Sequence, residues 1–196
     1  MNIQREKRVD QILSSLKMLD YLSTSQIQRL HNLGGDRNAR RVMKSMEQWV
    51  NWFRDTENVY YLNKAGRERI GATVIRTKIS PVTHFLMRND LFIQRRPEIF
   101  RPETKITVGD VRIIPDVWMR DKGAYYFVEI DHMQRMIKNK QKLDKYIKLK
   151  ESGAFQEQYG YFPRIIWVTA LESRKKSLED MFVGFDCRVY LWDEIK

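Results

Sequence analysis

The chain has 196 residues, 42% hydrophobic and 31% charged, which is enough apolar material for a folded core and excludes a disordered chain. Its 36 Lys/Arg against 25 Asp/Glu give a formal charge of +11, a balance that calls for a polyanionic partner, nucleic acid or an acidic surface. A single cysteine, Cys187, excludes an internal disulfide, and neither a signal peptide nor an apolar run of the ~20 residues that span a bilayer is present, so a soluble cytoplasmic protein is expected, with no membrane partner.

The basic excess is uneven. Residues 1–80 carry fifteen Lys/Arg against eight Asp/Glu, and the rest carry twenty-one against seventeen. The dense segment is also the helical one. Val9, Ile12, Leu13, Leu16 and Leu19 recur at helical spacing and predict a first helix with one apolar stripe. Ser23-Thr-Ser-Gln26 is a capping-box pattern that opens a short second helix through Ile27 and Leu30, stopped by Gly34-Gly35. Asp36 is expected to cap a third helix that buries Ala39, Val42, Met43, Met46, Trp49 and Val50. Two β-type runs follow, 52–54 and 59–62, around a polar turn. Three helices and a hairpin in that order make a winged helix-turn-helix.

The third helix places Arg37, Asn38, Arg40, Arg41 and Lys44 on its polar side. In such folds the second helix of the motif enters the major groove and reads bases from its first turns. Arg37, Asn38 and Arg41 occupy base-reading positions, since arginine pairs bidentately with guanine and asparagine with adenine. Arg40, Lys44 and, on the wing, Arg54 suit phosphates of double-stranded DNA. Trp49, Trp52 and Phe53 have the chemistry to stack bases, but beside a buried helix face they read as core.

Ser80-Pro81 is expected to open a helix through Phe85, Leu86 and Leu91. Strands are then expected near 104–107 and 111–114, a hairpin from 115–120 and 124–131, a helix at 133–150, a strand at 164–170, a helix at 174–183 and a strand at 186–192. The division is 1–78 for the DNA-binding domain, 79–102 for a linker helix and loop, and 103–196 for an α/β domain with a mixed sheet, an α+β two-domain protein overall.

A two-residue loop at Lys122-Gly123 sets Asp116 directly opposite Glu129, with Asp131 two residues along on the same strand face. Like charges about 5 Å apart repel, and a hard divalent cation with oxygen ligands relieves that. Asp116, Glu129 and Asp131 are therefore candidate metal ligands. Pro115-Asp116 followed by Glu129-Ile-Asp131 resembles the paired-acid core of the PD-(D/E)xK nucleases, whose acids hold Mg²⁺ or Mn²⁺ and whose motif lysine helps activate water. Here Asp131 stands where that lysine is expected. The resemblance implies that Lys142 and Tyr146, a K-x-x-x-Y element, serve on the following helix, with Lys140 as a second candidate in the apolar stripe of Met136, Leu143 and Ile147.

Ser23-Thr-Ser-Gln-Ile, Val59-Tyr-Tyr-Leu-Asn-Lys-Ala-Gly66, His84 and the acidic motifs, in that order, resemble the replication-relaxation family of plasmids and mobile elements. That resemblance implies a winged helix joined to a restriction-endonuclease-like domain, acting in replication, relaxation or mobilisation. Two alternatives stand beside it: an active Mg²⁺-dependent nicking enzyme, and a transcriptional regulator whose second domain is catalytically inactive and dimerises. A homodimer fits either. No zinc pattern, no Walker loop and no His-x-His pair occurs around His31, His84 or His132.

Overall fold

A computed structural model of the chain describes residues 3–78 and 82–196. The expected Ser80-Pro81 cap lies outside the described residues. The chain divides into two compact units, Met1–Asn89 and Asp90–Lys196, with a mixed α and β content in each.

The first unit contains α1 (Ile3–Leu19), β1 (Leu22–Ser23), α2 (Thr24–Leu30), α3 (Asp36–Lys44), β2 (Val50–Arg54), β3 (Asn58–Leu62) and α4 (Lys64–Ile70), and it takes in the start of α5 (Val82–Arg95). The α1 stripe is buried as its spacing predicts, at Val9, Ile12, Leu13, Leu16 and Leu19. The capping box also forms: Ser23 Oγ accepts from Gln26 N–H and Gln26 Oε1 accepts from Ser23 N–H, both at 3.2 Å. Gln26 is 1% exposed, and its amide nitrogen donates to the Leu86 carbonyl at 2.8 Å, so one side chain starts α2 and ties it to α5. Arg88 and Asn89, both buried, donate to the Leu19 carbonyl at 3.0 Å each and fasten α5 to the end of α1.

The three strands form one antiparallel sheet in the order β1-β3-β2. Two expectations for α3 change. Gly35, not Asp36, is the N-cap, and the helix stops at Lys44, so Met46 is buried from a turn and Val50 from β2. Trp52 is 52% exposed rather than core, whereas Val50 and Phe53 of the same strand are buried.

The second unit contains β4 (Ile99–Pro102), β5 (Ile106–Val108), β6 (Val111–Ile113), β7 (Val117–Asp121), β8 (Ala124–Asp131), α6 (Met136–Glu151), α7 (Ala154–Tyr159), β9 (Arg164–Thr169), α8 (Glu172–Met181) and β10 (Cys187–Leu191). Its five-stranded mixed sheet has the order β10-β9-β8-β7-β4, parallel on the β8–β9–β10 side and antiparallel on the β8–β7–β4 side. β5 and β6 pair separately. The stretch 79–102 is more than a linker: α5 occupies much of it, and β4 is the sheet's edge strand. A core of Trp118, Phe127, Leu143, Phe155, Trp167 and Phe182 packs around α6 and α8.

Gly66 in α4 sits against the Trp49 carbonyl, where an added Cβ would meet the oxygen at 2.1 Å. Gly66→Ala is therefore expected to destabilise the protein by about 2 kcal/mol through forced backbone movement, read as a lower midpoint in denaturant melts. No change in midpoint would contradict the close approach.

Candidate functional site

The hairpin turn at Lys122-Gly123 has φ of 50° and 80°, the left-handed pair that a two-residue loop requires. Pairing runs from Asp121↔Ala124 to Val117↔Val128, so the next step along carries Asp116 to Glu129. Asp116 Oδ2 accepts from the Ile130 N–H at 2.7 Å, which holds it at the strand end.

Glu129 is 1% exposed and has both oxygens engaged. Tyr146 O–H donates to Oε1 at 2.6 Å, and the Lys142 ammonium bonds Oε2 while lying 3.8 Å from Asp116 Oδ2. Lys142 and Tyr146 are one helical turn apart on α6 and therefore reach the same carboxylate. Burial and the Asp116 charge push the Glu129 carboxyl up to about 8, an effect that Lys142 and Tyr146 only partly offset. Burial lowers the Lys142 ammonium, yet the Glu129 and Asp116 carboxylates outweigh it and hold the group above its ordinary value. Burial, with Glu129 beside it, raises Tyr146 well above the usual phenol range.

Asp131 shares the strand face with Glu129 but is fully buried and otherwise occupied. Arg174 of α8 grips it with a bidentate fork, Nε to Oδ2 at 2.6 Å and Nη2 to Oδ1 at 2.8 Å. Thr169 O–H at 3.1 Å and the Asn139 amide at 3.3 Å complete the shell. Four hydrogen bonds, two of them from the Arg174 guanidinium, occupy Asp131, so of the three expected metal ligands only Asp116 and Glu129 stay free of that shell. Among the described residues no group of three His, Cys, Asp or Glu forms a metal-binding cluster. Asp116 and Glu129 remain as hard oxygen donors converging on one cation, the Lys142 ammonium. These are the two oxygen-donor residues that a divalent ion would use here.

Lys140 is exposed and lies outside this cluster, because the buried stripe of α6 is Asn139, Leu143, Tyr146 and Leu149 rather than the one through Met136 and Ile147. Arg174, Thr169 and Asn139 escaped the sequence reading. A polar Asn within the apolar stripe of a lysine-rich helix was the one available signal. A cavity of ≈ 320 Å³ opens over Glu129, walled by Arg112, Ile113, Ile114, Lys142, Lys145 and Tyr146. Cys187 is partly buried and its thiol is pushed up to about 12 by burial, which makes it a poor nucleophile.

In the first unit Arg37, Arg40, Arg41 and Lys44 are exposed along α3, and Arg54 is exposed on β2. Arg40 pairs with Asp36 at 3.0 Å. Asn38 donates its amide to the Leu33 carbonyl at 2.7 Å and accepts from Arg41 at 2.7 Å, so it braces the turn into α3.

Two outcomes follow from the second unit. Arg174→Ala strands a buried carboxylate and is expected to cost about 3 kcal/mol or more, measured by chemical denaturation. A Glu129 carboxyl raised from 4.5 to about 8 binds its proton more tightly in the folded state, so its contribution is present below pH 4.5 and is lost as pH rises through 8. The thermal midpoint of the metal-free protein should therefore fall relative to that of Glu129→Gln between about pH 5 and pH 8. Parallel profiles would contradict the shift.

Comparisons with known proteins add one strong match. The solved structure of protein VC1899 from Vibrio cholerae is similar at 11% identity and a TM-score of 0.35, over 100% of this chain and 55% of that one, a likeness too low to bear on fold or function. The chain thus spans about half the length of the solved protein it matches. No curated protein matches it. Residues 13–165 match the family model described as replication-relaxation, which covers most of the chain. The chain belongs to the replication-relaxation family.

Proposed function

We propose that the chain is a DNA-binding protein of a plasmid or mobile element, acting in replication, relaxation or mobilisation. In this reading the first unit is a winged helix-turn-helix that docks α3 in the major groove of double-stranded DNA, and the second has a PD-(D/E)xK nuclease-like fold. The observation that carries it is the row of exposed cations on α3, Arg37, Arg40, Arg41 and Lys44, beside a hairpin bearing Arg54, in a chain of the replication-relaxation family. Arg37 and Arg41 would contact base edges, with Lys44 and Arg54 on phosphates. The paired Arg40 and the engaged Asn38 contribute orientation rather than readout.

A second reading is favoured by the convergence of Asp116, Glu129 and Lys142. With a divalent ion held by the two acids, the site would polarise a phosphodiester and lower the pKa of bound water. Lys142 then supplies positive charge to the reacting phosphate, and Tyr146 fixes Glu129 by its hydrogen bond. In the contrasting reading the second unit is catalytically inactive, serves dimerisation, and the protein regulates transcription.

Duplex affinity should fall steeply with salt, by about 0.9 in log–log slope per phosphate contact. Lys44→Ala should weaken all sequences alike, and Arg37→Ala should relax sequence preference at a cost of about 1–3 kcal/mol. Unchanged duplex binding after Arg37, Arg41 and Lys44 are all replaced would refute the α3 assignment. Incubation of supercoiled plasmid with Mg²⁺ or Mn²⁺ tests the enzyme reading: open-circle product lost in Asp116→Ala supports it, and no conversion with either ion favours the inactive one.

A further inference from the structure

The cavity over Glu129 does not end at α6. A second hollow of ≈ 470 Å³ adjoins it, sharing Lys142 and Lys145 and continuing along the helix past Lys138 and Lys148, with Asp144 the one acid in its wall. Positions 138, 142, 145 and 148 advance by three or four residues, so these lysines form a single file about 15 Å long. Lys138, Lys145 and Lys148 are exposed and Lys142 is half-buried, while Arg112 of β6 stands at the wall of the first hollow. That first hollow is mixed in character. Ile113 and Ile114 give it an apolar wall, Arg112, Lys142 and Lys145 give it cations, and Glu129 lies within its lining.

We propose that this trough is a binding track for one strand of DNA, with backbone phosphates on Lys138, Lys145 and Lys148 and one unpaired nucleotide seated in the Glu129 cavity. Four lysines and Arg112 against two acids, Glu129 and Asp144, give the charge complementarity a phosphodiester chain requires. The cavity lies at the low end of the range for small-ligand sites, a size that suits one nucleotide better than a base pair. Its make-up suits that occupant: the isoleucines offer an apolar surface to a base, and the cations meet its phosphates. A single file of charges likewise matches one strand rather than the two backbones of a duplex. This inference rests on the reading of the chain as a DNA-handling protein, and it adds a second nucleic-acid surface, on a different unit from α3 and with a different form of DNA.

The test compares the full chain with two variants, K138Q/K145Q/K148Q on α6 and R37A/R41A on α3. Fluorescence anisotropy is read across a salt series with a labelled oligo-dT strand and with a labelled duplex. Glutamine keeps helix propensity at exposed positions, and an unchanged thermal midpoint verifies folding. The α6 variant is expected to lose about 2 units of salt slope on the single strand, about 100-fold in affinity at 0.1 M salt. The α3 variant is expected to retain single-strand binding. Its effect on the duplex reports on the α3 assignment separately, so either idea can fail alone. Ultraviolet cross-linking of a strand carrying 5-iododeoxyuridine should label peptides containing 112–114 or 142–148. Equal single-strand affinity and slope for wild type and the α6 variant, or cross-links confined to the first unit, would overturn the proposal.

Discussion

The two-residue turn at Lys122-Gly123 determines what the second unit can do. Both residues sit at positive φ, which fixes the β7–β8 register, and with it Asp116 is carried to Glu129. A slip of one residue would turn Glu129 and Asp131 to the opposite face of the sheet and bring Val128 and Ile130 into their places. The parallel neighbour then depends on the same register. β9 pairs Asp131 with Thr169 and Glu129 with Trp167, so the hydroxyl that reaches Asp131 comes from the strand alongside. A local backbone choice of two residues thus propagates through three strands and two helices to the buried carboxylates.

In the first unit, side chains with two tasks play a comparable part. Gln26 uses its oxygen on the Ser23 amide and its nitrogen on the Leu86 carbonyl. A glutamate could close the same capping box but could not donate to α5. Arg88 and Asn89 act from the other side, satisfying the carbonyl of Leu19 where α1 ends and the chain turns through Asp20 at φ 69°. These buried polar groups tie α1, α2 and α5 together alongside the apolar stripe of α1.

Short-range signals were legible in the sequence and long-range ones were not. The capping box of α2, the stripe of α1, the hairpin turn and the opposition of Asp116 and Glu129 each depend on residues within about fifteen positions of one another. The chain of donors around Asp131 depends on Arg174, forty-three residues away, and on a helix phase that a stripe drawn through Met136 and Ile147 obscured. β4 escaped notice because Pro97 and Pro102 suggest a loop, yet an edge strand tolerates proline where a central one would not. α7 is only six residues long between Gly153 and Gly160, both at positive φ, and such punctuation reads as a turn. Asn38 was legible as a polar residue on α3, but its hydrogen bond to Leu33 depends on how the preceding turn folds back.

The guanidinium of Arg174 also constrains how this site can change. Replacing Asp131 by lysine would set two cations side by side at a fully buried position. A change of charge at 131 therefore takes a paired exchange at 131 and 174, and each single step passes through an uncompensated interior charge. The Asp131–Arg174 pair is thus held in place by the cost of passing through either half of it.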